Sequence, residues 1–298
     1  MADRTRIDQL LNMAWNTRST ARTLGIVNQI LEIAPNTIEA LIIKADNTED
    51  PSARERILLR ALYAFEKPDS CSPDDKDLLF YVVNQRLAFT MFYANKFPEA
   101  LTFCEAALTS RAAQENEEAQ DNNGELKSLW YRIMLELEEW QKVLAETMRD
   151  EERNLAWAYS RLLAAYMLAP DKERVKGVCA NMFWDALILA PDVPFYMLGY
   201  LPEPDETDGE EAQENFDFAV MYYDTISVSE EFLRWFTRGV ILFGLLSQRF
   251  DEKEREYLLD VLDTLGGYEE YERMSSIILE SDDAAIIEML AANKCLGD

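Results

Sequence analysis

The chain has no histidine in its 298 residues, and that absence alone removes the Ser-His-Asp triad, the Cys-His pair and every histidine-ligated metal site. Glycine and proline are scarce, with 10 of each, which leaves little material for the turns of a many-stranded fold. The same scarcity argues against a phosphate-cradling loop, and neither G-x-x-x-x-G-K-[ST] nor G-x-G-x-x-G occurs. The four cysteines, Cys71, Cys104, Cys179 and Cys295, are widely spaced, form no C-x-x-C pair and are expected to stay reduced. Cations are in deficit, 29 Lys and Arg against 56 Asp and Glu for a net charge of −27, so the average surface repels phosphate backbones and anionic headgroups. Nucleic acid and membrane are therefore not expected as partners. No apolar run approaches the roughly 18 residues of a bilayer span. VILFGLL at 240–246 is short, flanked by Arg238 and Arg249, and reads as a core helix. The opening MADRTRIDQLLNMAW mixes charge into an amphipathic pattern without the apolar core of a signal peptide, so a cytoplasmic protein is expected.

What is abundant is helix-forming: Leu, Ala, Glu and Arg lose little freedom in a helix, and 48% hydrophobic residues suffice for a substantial core. Among so many carboxylates, chance acidic clusters are unavoidable. DETDG at 205–209 and DNNG at 121–124 lack the spacing and closing glutamate of a calcium loop. DDKDL at 74–78 and DDAAI at 282–286 miss the D-D-x-x-D pattern of prenyl-transferring helical enzymes. No metal, cofactor or catalytic residue is expected. Two carboxylates brought together in space are the machinery of glycoside hydrolysis, which sequence spacing does not display. Nothing in this chain points to such a pair, and the expectation is a protein without enzymatic activity.

The clearest segment is YVVNQRLAFTMFYANKFPEALTFCEAAL at 81–108, helical in period and broken once at Ala94-Asn95-Lys96. Asn95 is suited to the left-handed conformation that closes a helix, Pro98 to the first turn of the next, and Phe97 to the corner between them. Residues 38–65 read as a second helix pair broken at Asn47 to Pro51, and 125–149 as a third with Trp140 at its corner. LEIAPN at 31–36 and LILAPD at 187–192 end helices the same way, because proline cannot continue the N–H ladder and biases its predecessor away from α. About five helix pairs fill the stretch up to residue 201. Two polar runs interrupt, TSRAAQENEEAQDNNGE at 109–125 and PEPDETDGEEAQEN at 202–215, read as loops or frayed helix ends. Helical periods continue to the C-terminus, with Ser227 or Ser229 as an N-cap, Gly266-Gly267 as a stop and Ser281-Asp282 as another start.

The segment from Tyr81 resembles a tetratricopeptide repeat, a 34-residue helix hairpin. Leu87-Ala88 stands for its Leu-Gly pair, Phe97 for its corner aromatic, and Ala100 and Ala107 for its close-contact alanines. Cys104 stands where an aromatic is usual and Asn84 where Trp is frequent. A second resemblance, through NLAWAYSRLLAAYMLAPDKERV at 154–175, Pro191, Val193, Pro194, Tyr196 and Leu198, and NTRSTARTLGIVNQILEIAPN at 16–36, is to the suppression-of-tumorigenicity family of repeat proteins. These resemblances imply an all-α fold: a right-handed superhelical solenoid of helix hairpins over 1–201, an acidic linker or insertion at 202–215, and a helical cap over 216–298. They supply no catalytic residues.

In the repeat register the first helix of each pair lines a concave groove. That places Gln85, Arg86, Phe89, Phe92 and Tyr93 on or near it in the unit from Tyr81, with Asp8, Asn12 and Trp15 at comparable places in the first unit. Each aromatic has a competing reading as core packing. Relatives that grip a peptide carboxylate place lysine where Asp8 stands, so the groove favours a basic or apolar ligand. The expected function is a scaffold that binds another protein or peptide through this face. The alternatives are a dedicated chaperone masking a basic or aggregation-prone client, and an acidic decoy of a nucleic-acid-binding protein.

Overall fold

The computed structural model describes residues 2–297 apart from 69, 151–152, 170–171, 206, 228 and 279–281. Among the described residues all regular secondary structure is helical, as the scarcity of glycine and proline predicts, and no strand occurs. No helix among them is long and apolar enough to cross a membrane. The chain forms two compact units, Met1–Ile133 and Met134–Asp298.

The first unit is built from consecutive hairpins: α1 (Ala2–Trp15) with α2 (Thr20–Ile33), α3 (Ile38–Asp46) with α4 (Pro51–Ala64), and α5 (Lys76–Tyr93) with α6 (Phe97–Leu108). α2 packs on α3 and α4 on α5, while α1 touches α3 and α3 touches α5, so the first helices of the hairpins lie side by side. The contacts are aliphatic: Ile7, Leu10 and Leu11 of α1 lie on a cluster of Ala14, Ile26, Val27, Ile30, Ala40 and Ile43. The breaks fall where the sequence placed them. Asp50 caps α4, its carboxylate accepting from the Ala53 N–H with Pro51 at the first helical position. Asn95 takes φ 57°, and the Lys96 N–H reaches the Met91 carbonyl at 2.9 Å, the bond of a Schellman cap.

One expectation is corrected here. The polar run 109–125 is helical, forming α7 (Arg111–Glu115) and the start of α8 (Glu117–Glu136). Ser110 caps α7 by accepting from the Ala113 N–H, and the Asn116 side chain accepts from the Ala119 N–H. Glu, Ala and Gln between these caps are good helix formers, so polarity marked a solvated helix rather than a loop.

The second unit comprises α9 (Trp140–Thr147), α10 (Leu155–Leu168), α11 (Lys172–Leu189), α12 (Val193–Met197), α13 (Glu210–Ile226), α14 (Glu230–Leu246), α15 (Glu252–Thr264), α16 (Tyr268–Ser275) and α17 (Asp283–Ala292). The stretch 202–215, read as an acidic linker or insertion, lies inside this unit, and residues 210–215 begin α13. Ser229 and Asp282 are N-caps, and Gly266 stops α15 at φ 74°. Ser281, paired with Asp282 in the sequence reading, lies outside the described residues. α13 packs on α12, and α17 on α11. The core is aromatic: Phe183 of α11 lies 4.9 Å from Trp184, 5.9 Å from Trp235 and 5.3 Å from Phe236, ring centre to ring centre. α14 admits its neighbours through two glycines. A Cβ on Gly239 would stand 2.6 Å from Leu296 Cδ1 and 2.7 Å from Phe183 Cε1; one on Gly244 would meet the rings of Phe195 and Phe250.

A corner recurs across the chain. Asn95, Glu138, Gln248 and Gly266 each take positive φ at a helix end, and an aromatic follows two residues later: Phe97, Trp140, Phe250 and Tyr268. In each, the intervening N–H bonds to the carbonyl five residues back, at 2.8–3.0 Å. The Asn95–Phe97 device read from the sequence is thus reused, at Glu138 and Gln248 with residues that do not favour that φ.

Candidate functional site

The residues expected on the groove are distributed over α1 and α5, and the structure treats them unequally. Asp8, Asn12 and Trp15 are exposed, Trp15 at 60%. On α5, Tyr93 is 68% exposed, Arg86 is exposed and Phe89 is half-buried. Gln85 and Phe92 are buried, which corrects their placement on the binding surface. Phe92 meets Tyr93 edge-on at 5.6 Å and Phe97 at 5.6 Å, while the Arg132 guanidinium lies 4.4 Å over its ring. It is the interior wedge of the α5–α6 corner, and the core reading holds for it. Arg86 pairs with Asp46 of α3 at 3.1 Å, tying two neighbouring first helices together. No ion pair, hydrogen bond or ring contact among the described residues joins the α1 trio to the α5 group.

Asp8 has a different set of companions. It lines a pocket of about 400 Å³ with Arg4, Ile7 and Leu11 of α1, Thr37 and Glu39 at the start of α3, and the segment before α5, Ser70 to Ser72 and Asp75. The segment is fixed by the Ile38 N–H, which donates to the Ser70 carbonyl at 3.0 Å. One guanidinium, from Arg4, faces three carboxylates, and Ile7, Leu11 and Ala34 supply apolar wall. Glu39 Oε2 is fully buried without a hydrogen-bond partner. Burial raises the Glu39 pKa, opposed by a hydrogen bond to its backbone N–H and reinforced by Asp75 and Asp8. Burial also pushes the Cys71 thiol up, so it is not an activated nucleophile. Sequence reasoning missed Glu39 and Asp75 as companions of Asp8, because only the stacking of α1 on α3 brings the three together.

No group of three or more carboxylates or thiols among the described residues is arranged to hold a metal ion. Cys104 and Cys179 are fully buried, the latter with its pKa pushed up to about 12 by desolvation, so both serve as small apolar side chains. Compared with known proteins, the chain matches no protein family, no curated protein and no solved structure.

Proposed function

We propose that the first unit is a protein-interaction module of tetratricopeptide type, the start of a right-handed superhelical solenoid, and that the chain acts as a non-enzymatic scaffold. The observation that carries this reading is the side-by-side arrangement of α1, α3 and α5, with Asp8, Asn12, Trp15, Arg86 and Tyr93 left exposed on the outer helices and the acidic pocket beside Asp8. Trp15 and Tyr93 are the apolar anchors in this reading, and Asp8, Glu39 and Asp75 favour a cationic side chain in the partner. A partner cation in the pocket would also add counter-charge for three carboxylates that Arg4 alone faces.

Tagged full-length protein, with partners captured from a cell extract and identified by mass spectrometry, tests the reading when wild type is compared with a Asp8→Lys, Trp15→Ala, Tyr93→Ala triple variant. The expected result is loss of a defined set of partners at unchanged melting temperature, since none of the three side chains is buried. A partner set identical for both proteins would overturn it.

A further inference from the structure

We infer that the outer face of α4 is a second docking surface, of opposite preference, for an acidic amphipathic segment of a partner protein. α4 buries Leu58, Ala61 and Ala64 and packs against α3 and α5. Its opposite side carries Arg56, Arg60 and Tyr63, a spacing of four and three that keeps one face of a helix, with Leu59 beside them; Lys67, three residues past the helix end, extends the row through its contact with Tyr63. Tyr63 is 57% exposed and Leu59 38%.

The stripe is cationic in a chain with 56 carboxylates against 29 cations. Arg56, Arg60 and Lys67 form no ion pair among the described residues, a state they share with cations such as Arg18, Arg22 and Lys44, but here the three stand in one row. Their hydrogen bonds are to neutral oxygens: Arg56 Nε to the Ser52 carbonyl, Arg60 Nη2 to the Pro35 carbonyl and Lys67 Nζ to the Tyr63 hydroxyl. Lys67 also lies 4.2 Å over the Tyr63 ring, fixing cation and aromatic as one feature. Glu66 stands at the edge of the stripe, and Glu55 on the same helix is engaged by Lys96 at 2.7 Å. The result is a row of three cations interleaved with two exposed apolar side chains.

That pattern is complementary to a helix with carboxylates at matching spacing and apolar residues between them. Leu59 and Tyr63 favour such a segment over a phosphate backbone, which has no apolar stripe to offer. The chain's net negative charge does not cancel the attraction at close range, because at physiological ionic strength fields are screened within about 8 Å.

The probe is a fluorescein-labelled synthetic helix bearing Glu and Leu on one face, titrated into the full-length protein, with a DNA duplex and phosphatidylserine vesicles as competing anions. We expect saturable binding that weakens as salt rises above physiological strength. Arg56→Glu with Lys67→Glu should raise Kd by about tenfold or more, with helicity and melting temperature little changed because Arg56 is exposed and Lys67 lies beyond the end of α4. Tyr63→Ala should raise Kd severalfold without altering the salt dependence. The Asp8, Trp15 and Tyr93 variant should bind the peptide as wild type does, which separates this surface from the groove. Equal peptide affinity for wild type and the charge-reversed variant would overturn the inference, as would absent peptide binding or preferential binding of DNA or vesicles at equal salt.

Discussion

The two compact units differ in charge and in what fills them. Met1–Ile133 holds 15 Lys and Arg against 20 Asp and Glu, close to balance, whereas Met134–Asp298 holds 14 against 36 and carries most of the net −27. The first is stacked from neighbouring hairpins on aliphatic contacts, and the second closes around aromatic rings drawn from α10, α11, α13 and α14. Acidity in this protein is therefore regional. The first unit is where a cation on the surface is free to matter, and the second is where packing of large side chains sets the stability.

The contrast breaks most sharply at Phe183, which is fully buried among three rings. Phe183→Ala should destabilise the protein by about 3–5 kcal/mol, and hydrogen exchange should show protection lost first in α10, α11 and α14. Loss spread evenly through Met1–Ile133 would mean that the two cores unfold as one. A smaller effect of opposite sign is expected at Tyr159, whose hydroxyl is buried without a partner and whose pKa burial raises. Tyr159→Phe should raise stability by about 1 kcal/mol in denaturant melts, since an unpaired buried hydroxyl is removed and no hydrogen bond is lost. The smallest effect belongs to the first unit. Because burial raises the Glu39 pKa above its ordinary 4.5, the folded state holds that proton more tightly than the unfolded chain. Its stabilising contribution is present below that value and is lost as pH rises through the folded-state pKa. Glu39→Gln should accordingly raise the melting temperature at pH 7, with the gain shrinking as pH falls towards 4; a gain independent of pH would show that charge is not its cause.

Helix pairing was legible wherever a turn used residues that declare themselves: Asn95 with Pro98, Asp50 with Pro51, Gly266 with Gly267. The positive φ at Glu138 and Gln248 was not, since neither residue has the conformational freedom that marks glycine, although Trp140 marked the corner after Glu138; at Gln248 the corner carries Phe250, buried against Phe195 and Tyr200. The groove assignments show the limit of periodicity. Phe92 and Tyr93 are adjacent, about 100° apart around the helix axis, and a register error of one residue exchanges core for surface. Phe92 is the one covered, by Phe97 and by Arg132 from far along the chain. The α4 stripe was present in the sequence as spacing, but the return of Lys67 onto the Tyr63 ring beyond the helix end is a matter of arrangement in space.

Gly239 and Gly244 allow α14 its close neighbours, and they also set when α14 forms. Each glycine inside a helix is less favourable than alanine by about 1 kcal/mol, so the segment has little helical persistence by itself. What compensates arrives from distant parts of the chain, Phe183 and Phe195 from before and Leu296 from after. The helix at the centre of the second unit is in this sense a late structure, assembled by its surroundings. The first unit's hairpins, whose contacts join neighbours along the chain, close over short loops and without waiting. One chain thus carries two clocks: the lightly charged unit closes on its neighbours early, and the acidic unit waits until Leu296 reaches Gly239.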